Sequence, residues 1–380
     1  MAVSGDRILV THAGSLPRPA DLAQMIWDRI DGKPVDDATL NQRLDTAVQE
    51  VIGKQRENGV DIVSDGELSK PGFSSYVEER FSGFGGGRSG LQHDDLTPFP
   101  NLATRLFSTD AVAHITLAHC VGPVELVDTE AVQRDISRFT KALTGGATDR
   151  AFIGSVSPGQ IAFNYPNRYY GSHAAYLDAL AKALAYEYNA IVDAGFNLQI
   201  DSPDLAMAAH SHSVGTSITN WETHLPMAIE AMNVALDGIP KEKVRLHICW
   251  GNYAGPHHHD VAFSELIHEV LKANVGTIYP EGGNPRHEHE WRVFEDVELP
   301  DEMNVIYGVI DTKTNYIEHP RVVADRLVRV GTLIGAEHLL AGTDCGFDSF
   351  IGFSQVDPDV AWLKLRALAD GAEIASKELF

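Results

Sequence analysis

Three side chains in this sequence have the types and spacing to hold a transition metal. His247 and Cys249, in VRLHICWGN, are two residues apart; on a strand that spacing turns both to one face and Ile248 to the other. Cys345 follows in HLLAGTDCGF. Imidazole and thiolate together suit zinc better than they suit harder cations. Structural zinc sites usually gather closely spaced Cys-x-x-Cys pairs in one loop, so ligands dispersed over separate strand ends point to a catalytic ion with an exchangeable position. Glu281, closing VGTIYPEG, is a candidate oxygen ligand. The His-x-Cys pair is short, and by itself it fits a satisfied strand histidine and two inert or disulfide-prone thiols equally well. Its placement at a strand end, the matching TDCGF turn and the carboxylate of Glu281 favour the metal.

Residues so far apart in sequence meet only if the chain presents strand ends on a common face. Eight short apolar runs ending in small or polar residues recur along it: 8–15, 61–67, 151–159, 197–204, 244–252, 275–282, 304–311 and 338–347. Amphipathic stretches separate them, among them 37–59, 172–195 and 319–337; the first opens with Asp37 and stops at Gly59. Eight strands alternating with helices, without a Pro/Gly/Ser linker, predict a single α/β domain over residues 1–380, a (β/α)8 TIM barrel. In a barrel the active site lies at the C-terminal strand ends. Here those ends carry Ser15, Asp65 and Glu67, Ser157, Asp201, His247 and Cys249, Glu281, Asp311 with Lys313, and Asp344 with Cys345.

The segment 68–150 breaks the alternation. It contains GFGGGRSG (83–90) and the apolar run HITLAHCVGPVEL (114–126), and it predicts a loop-and-hairpin insertion after the second strand that serves as a mobile lid. GFGGGRSG does not sit between a strand and a helix start, which argues against a phosphate loop. His257-His258-His259 and His287-Glu288-His289 occupy polar, loop-like stretches, and consecutive histidines cannot converge on one ion from a regular element. They are expected at the surface or in a substrate loop, and Cys120 in the packing.

Composition narrows the partners. With 30 Lys plus Arg against 53 Asp plus Glu, the formal charge of -23 repels phosphate backbones and anionic lipid surfaces. Nucleic acid and membrane are therefore not expected as partners. The N-terminal stretch has no basic start followed by an apolar core, and no apolar run reaches the roughly 18 residues that span a bilayer, so a cytoplasmic protein is expected. Three cysteines are too few for a disulfide framework. Nothing in the sequence excludes a homo-oligomer.

Taken in order, THAGSLPRP, SDGE with YVEERFSGF behind it, VSPGQIA, LQIDSPDL, the His-x-Cys pair and AGTDCGF resemble the catalytic barrel of the cobalamin-independent methionine synthases. The resemblance extends to their short single-barrel relatives, which include epoxyalkane:coenzyme M transferase-like proteins. It implies a barrel of the uroporphyrinogen decarboxylase/methionine synthase type and a zinc ion held by His247, Cys249, Glu281 and Cys345. It also implies that Asp201 and Glu67 hold the amino group of homocysteine and that Ser15 contacts its carboxylate. Strand-end turns and helix caps use the same residue types, which is the plainer account of these three. Three departures fall on the alkyl-donor side. The synthases' N-terminal half has no counterpart in these 380 residues; their I-D-E-P reads I-D-S-P, with Ser202; and Lys313 stands where they place the histidine proposed to protonate the departing folate.

The implied chemistry is thiol alkylation. A free thiol with a pKa of about 8.5 is only slightly ionised at neutral pH, and a metal removes that obstacle. Glu281 is expected to be the ligand that moves off as the thiol arrives. Lys313 is a candidate acid or anion contact, with an exposed loop lysine as the plainer reading. Three functions follow: methylation of homocysteine from folate or another methyl carrier, addition of coenzyme M or a similar thiol to an epoxide, or a metal-free, decarboxylase-like barrel.

Overall fold

The computed structural model describes residues 3–107, 116–145 and 147–380. Its strands, in chain order, are β1 (Leu9–Val10), β2 (Val63–Ser64), β3 (Phe84–Ser89), β4 (Leu91–His93), β5 (Leu117–Cys120), β6 (Ala151–Val156), β7 (Asn197–Asp201), β8 (Ser211–Ser213), β9 (Val244–Ile248), β10 (Thr277–Pro280), β11 (Asn304–Ile310) and β12 (Leu339–Thr343). Eight of them form one parallel sheet in the order β1-β12-β11-β10-β9-β7-β6-β2. The Ile62 N–H donates to the Val10 carbonyl at 3.1 Å, joining the two ends of that order and closing the barrel. The eight strands are the eight apolar runs of the sequence. Their polar tails leave the sheet early, so β1 and β2 keep only two paired residues each, and THAGS and SDGE become mouth loops.

The helices follow from ordinary start and stop chemistry. Helix Asp37–Glu57 is capped by the Asp36 carboxylate, which accepts from Thr39 N–H at 2.8 Å, and the chain leaves it through Gly59 at φ 82°. Helices His173–Asp193 and Pro320–Ile334 cover the other two predicted stretches. Among the described residues no helix is long and apolar enough to cross a membrane.

Strand β9 shows how the layers are built. Val244, Leu246 and Ile248 point outward into the large core between sheet and helices, while Arg245, His247 and Cys249 point inward. Inside the barrel a smaller apolar cluster includes Leu9, Ile62, Phe152, Tyr279, Ile306 and Leu340. The Arg245 guanidinium lies 3.4 Å from the Phe152 ring centroid and donates to Gln199 Oε1 and the His12 carbonyl. A buried charge so fully hydrogen-bonded makes a rigid plug beneath the mouth.

Between β2 and β6 the insertion supplies β3, β4 and β5; β3 pairs antiparallel with β5, and β4 with β8, which follows β7. GFGGGRSG is therefore largely strand rather than loop, with Gly85 paired to His119 and Ser89 to Leu117. Of the run 114–126, residues 114 and 115 lie outside the described residues, and Leu117–Cys120 is β5. Cys120 is buried in the core, as packing requires.

Candidate active site

Strand β9 delivers His247 from its body and Cys249 from the residue after its end, and Cys345 stands two residues beyond β12. Their ligand atoms all lie within 4.8 Å of one another. The sulfurs of Cys249 and Cys345 are 3.9 Å apart. That is too long for a disulfide, whose sulfurs sit about 2.05 Å apart. It matches the roughly 3.8 Å expected when two sulfurs at about 2.3 Å share a tetrahedral zinc. His247 Nδ1 faces the Tyr279 carbonyl at 3.2 Å, which fixes the tautomer, and Nε2 is left buried with no hydrogen-bond partner. The contact between the two sulfurs holds Cys345 well below the ordinary thiol value and, together with burial, raises Cys249. An orphaned imidazole nitrogen beside two thiols at ligand spacing fits zinc.

Glu281 lies outside that group. Its Oε1 accepts from the Trp250 N–H at 2.9 Å and its Oε2 from Lys313 Nζ at 2.7 Å. Burial pushes Glu281 up, but Lys313 and His287 outweigh it and hold the carboxyl below its usual range. Lys313 is not an exposed loop lysine: its side chain is buried, and although burial pulls its ammonium down, Glu281, Asp344 and Asp311 raise it further.

Two acids floor the same mouth. Asp201 ends β7 in register with His247, and Glu67 follows β2 with φ 57°, a left-handed conformation uncommon outside glycine. Glu67 Oε1 fits there because Gly14 and Gly154 lack side chains: a Cβ on either would come within 2.6 or 2.8 Å of it. Burial pushes Glu67 up to about 8 and Asp201 up to about 6. Asp201 Oδ1 accepts from Gln199 at 2.7 Å, whereas Glu67 Oε2 is buried and unpartnered. Ser15, also buried, lies under the Gly346–Asp348 turn, and its carbonyl accepts from Phe347 N–H at 2.8 Å.

These groups share one cavity of about 310 Å³, whose wall includes Ser15, Glu67, Asp201, His247, Cys249 and Cys345. Lys313 and Glu281 are not in the wall. Sequence reasoning missed Phe107, the last residue of helix Pro100–Phe107, and Tyr253, in the loop after β9, which complete it, because single aromatic residues at the mouth carry no periodic signal. Of the two roles expected for the histidine runs, surface or substrate loop, the surface one fails for two of them. His257 and His287 are buried, not superficial, and both reach Asp260 Oδ2 at 2.8 Å. The signal was Asp260 itself, a carboxylate three residues from one of them and able to hydrogen-bond both.

Fold and site together define a closed (β/α)8 barrel with an imidazole–dithiol group at the mouth of an acid-floored cavity. No family model matches the chain. Over 370 residues it is 28% identical to a methionine synthase of Sulfurisphaera tokodaii, covering 97% of this chain and 93% of that protein. Over 177 residues, 40% of this chain and 46% of the other, it is 30% identical to 2-hydroxypropyl-CoM lyase of Xanthobacter autotrophicus. A B12-independent methionine synthase from Shewanella sp. W3-18-1 has the same fold, with a TM-score of 0.74 at 22% identity over 98% of this chain and 99% of that one. The resemblance to cobalamin-independent methionine synthases thus runs over nearly the whole chain.

Proposed function

We propose that this protein is a zinc-dependent thiol S-methyltransferase whose acceptor is homocysteine. The observation that carries the reading is a single cavity holding both the orphaned His247 Nε2 beside two thiols and a pair of buried carboxyls with one oxygen, Glu67 Oε2, left without a partner. A bound zinc ion supplies the Lewis acidity that ionises a thiol at neutral pH. His247, Cys249 and Cys345 hold it. Glu281 would serve as the displaceable fourth ligand, and Lys313, which holds its Oε2 at 2.7 Å, would be its partner away from the metal. Glu67 and Asp201 receive the substrate ammonium, whose charge draws both carboxyls into the ionised form. Ser15 and the turn above it face the carboxylate.

The match to 2-hydroxypropyl-CoM lyase favours a second reading, a sulfonate thiol added to an epoxide. A sulfonate needs a cation, and the candidates are occupied. Arg18 is bound to Asp348 at 2.7 Å and to the carbonyls of Glu67 and Lys70, Lys313 is bound to Glu281, and Arg286 reaches toward the Asp260 carbonyl. Among the described residues no Lys or Arg lines the cavity. The third reading, a metal-free barrel, leaves His247 Nε2 unexplained and falls to metal analysis. Calorimetric titration of the zinc-loaded protein with homocysteine and with coenzyme M separates the first two. Homocysteine should bind, and Asp201→Asn should weaken it about 10-fold or more through loss of a buried charge pair. Binding of the sulfonate alone would overturn the proposal.

A further inference from the structure

The donor side of the cavity is walled by rings. Phe107 stacks on Phe353 with centroids 5.9 Å apart and on His93 at 5.7 Å, and His93 stacks on Tyr253 at 4.3 Å. Phe73 and Phe350 meet edge to face at 5.4 Å, and all six rings line the cavity. Among the described residues no Lys or Arg lines the cavity. A polyanionic carrier would find no counter-charge there. Aromatic faces in a chain of formal charge -23 instead attract cations.

Leaving-group chemistry points the same way. When a thiolate attacks a methyl carbon, the S–C bond forms and the carrier atom departs with the electron pair of the broken bond. A neutral amine nitrogen departs as an anion and needs a proton. A sulfonium or quaternary ammonium departs as a neutral thioether or amine and needs none. The wall offers little acid on this side. Lys313 lies outside it with Nζ bound to Glu281 at 2.7 Å, and the Tyr253 phenol already donates to Asp95 Oδ2 at 2.9 Å.

Resting on the homocysteine reading above, we propose that the methyl donor is a small onium ion, a methyl sulfonium or quaternary ammonium, seated on the Phe107–Phe353 and Tyr253 rings. Transfer gives the methyl thioether of the acceptor and the neutral demethylated carrier, with the positive charge of the donor cancelled by the thiolate.

The test uses the zinc-loaded full chain with trimethylsulfonium, 5-methyltetrahydrofolate or methylcobalamin as donor probe. Deuterated trimethylsulfonium plus homocysteine should yield labelled methionine and dimethyl sulfide in equal amounts. Without thiol, broadening of the trimethylsulfonium methyl resonance should report binding. Phe107→Leu and Phe353→Leu should each weaken that binding by about 2- to 30-fold while homocysteine affinity holds. If homocysteine binds but methionine forms only from the folate or from methylcobalamin, the onium proposal is overturned and the acceptor reading stands. If homocysteine does not bind, the acceptor reading falls, and the resonance experiment decides the donor: absence of trimethylsulfonium binding overturns the proposal.

Discussion

At the scale of single residues the site combines two kinds of burial cost with one purpose. Soft ligands are held together without a disulfide, and carboxyls are held in a space where, unliganded, at least one keeps its proton. Replacing Cys345 or His247 by Ala removes one of three convergent ligands and should abolish stoichiometric zinc, read by atomic absorption after dialysis. Glu281→Ala should retain part of the metal, because that carboxylate already has other partners; complete loss would contradict its displaceable role. The acids make a pH prediction. Glu67 titrates near 8 in the folded protein against an ordinary 4.5, because burial penalises its charge. The folded state therefore binds this proton more tightly than the unfolded chain does, so the stability it confers is full below about 4.5 and is lost as pH climbs through 8. The thermal midpoint of the free protein should fall between about pH 4.5 and 8, and Glu67→Gln should flatten that fall. An unchanged slope in the variant would remove Glu67 from the account.

At the scale of elements, strands place the chemistry and small residues make room for it. In β6, Gly154 lies where a Cβ would come within 2.8 Å of Glu67 Oε1 and 3.4 Å of Asp201 Oδ2. Strand β6 itself tolerates an alanine, so Gly154→Ala should leave the far-ultraviolet circular dichroism intact and displace the Glu67 carboxyl. Homocysteine affinity should drop about 10-fold or more, as for loss of a buried charge contact, with zinc content unchanged. Loss of zinc as well would mean that the strand end had moved, not the acid alone. The helix behind β2 contributes too: Gln55 bonds both the N–H and the carbonyl of Ser64 and also reaches His12, which pins the SDGE turn in the conformation that turns Glu67 inward.

At the scale of the whole molecule, the packing of the barrel is expected to be independent of the proposed metal. One large apolar layer surrounds the sheet and a second fills the interior below the mouth, so ligands at the strand ends rest on a scaffold already packed. Chelation should leave the circular dichroism spectrum in place and lower the thermal midpoint by a few degrees, since zinc binds only the folded state. Collapse of the spectrum on chelation would show that the metal is structural.

The sequence alone determined the parts that depend on local pattern. The eight apolar runs predicted the eight strands because burial on both faces writes continuous hydrophobicity into a parallel strand. His-x-Cys placed two side chains on one face because strand period is two. Ser15, Glu67 and Asp201 were legible as polar residues at strand ends, where a barrel has its mouth. The tertiary structure alone decided who meets whom. Whether Glu281 joins the thiols or Lys313 depends on strands brought side by side across the barrel, and no spacing within the chain encodes a 2.7 Å contact between residues 32 apart. The same holds for the rings of the donor wall and for the burial of His257 and His287 around Asp260. They come from separate element ends and loops, whose paths are set by the packing of the whole mouth, not by the periodicity of any one segment.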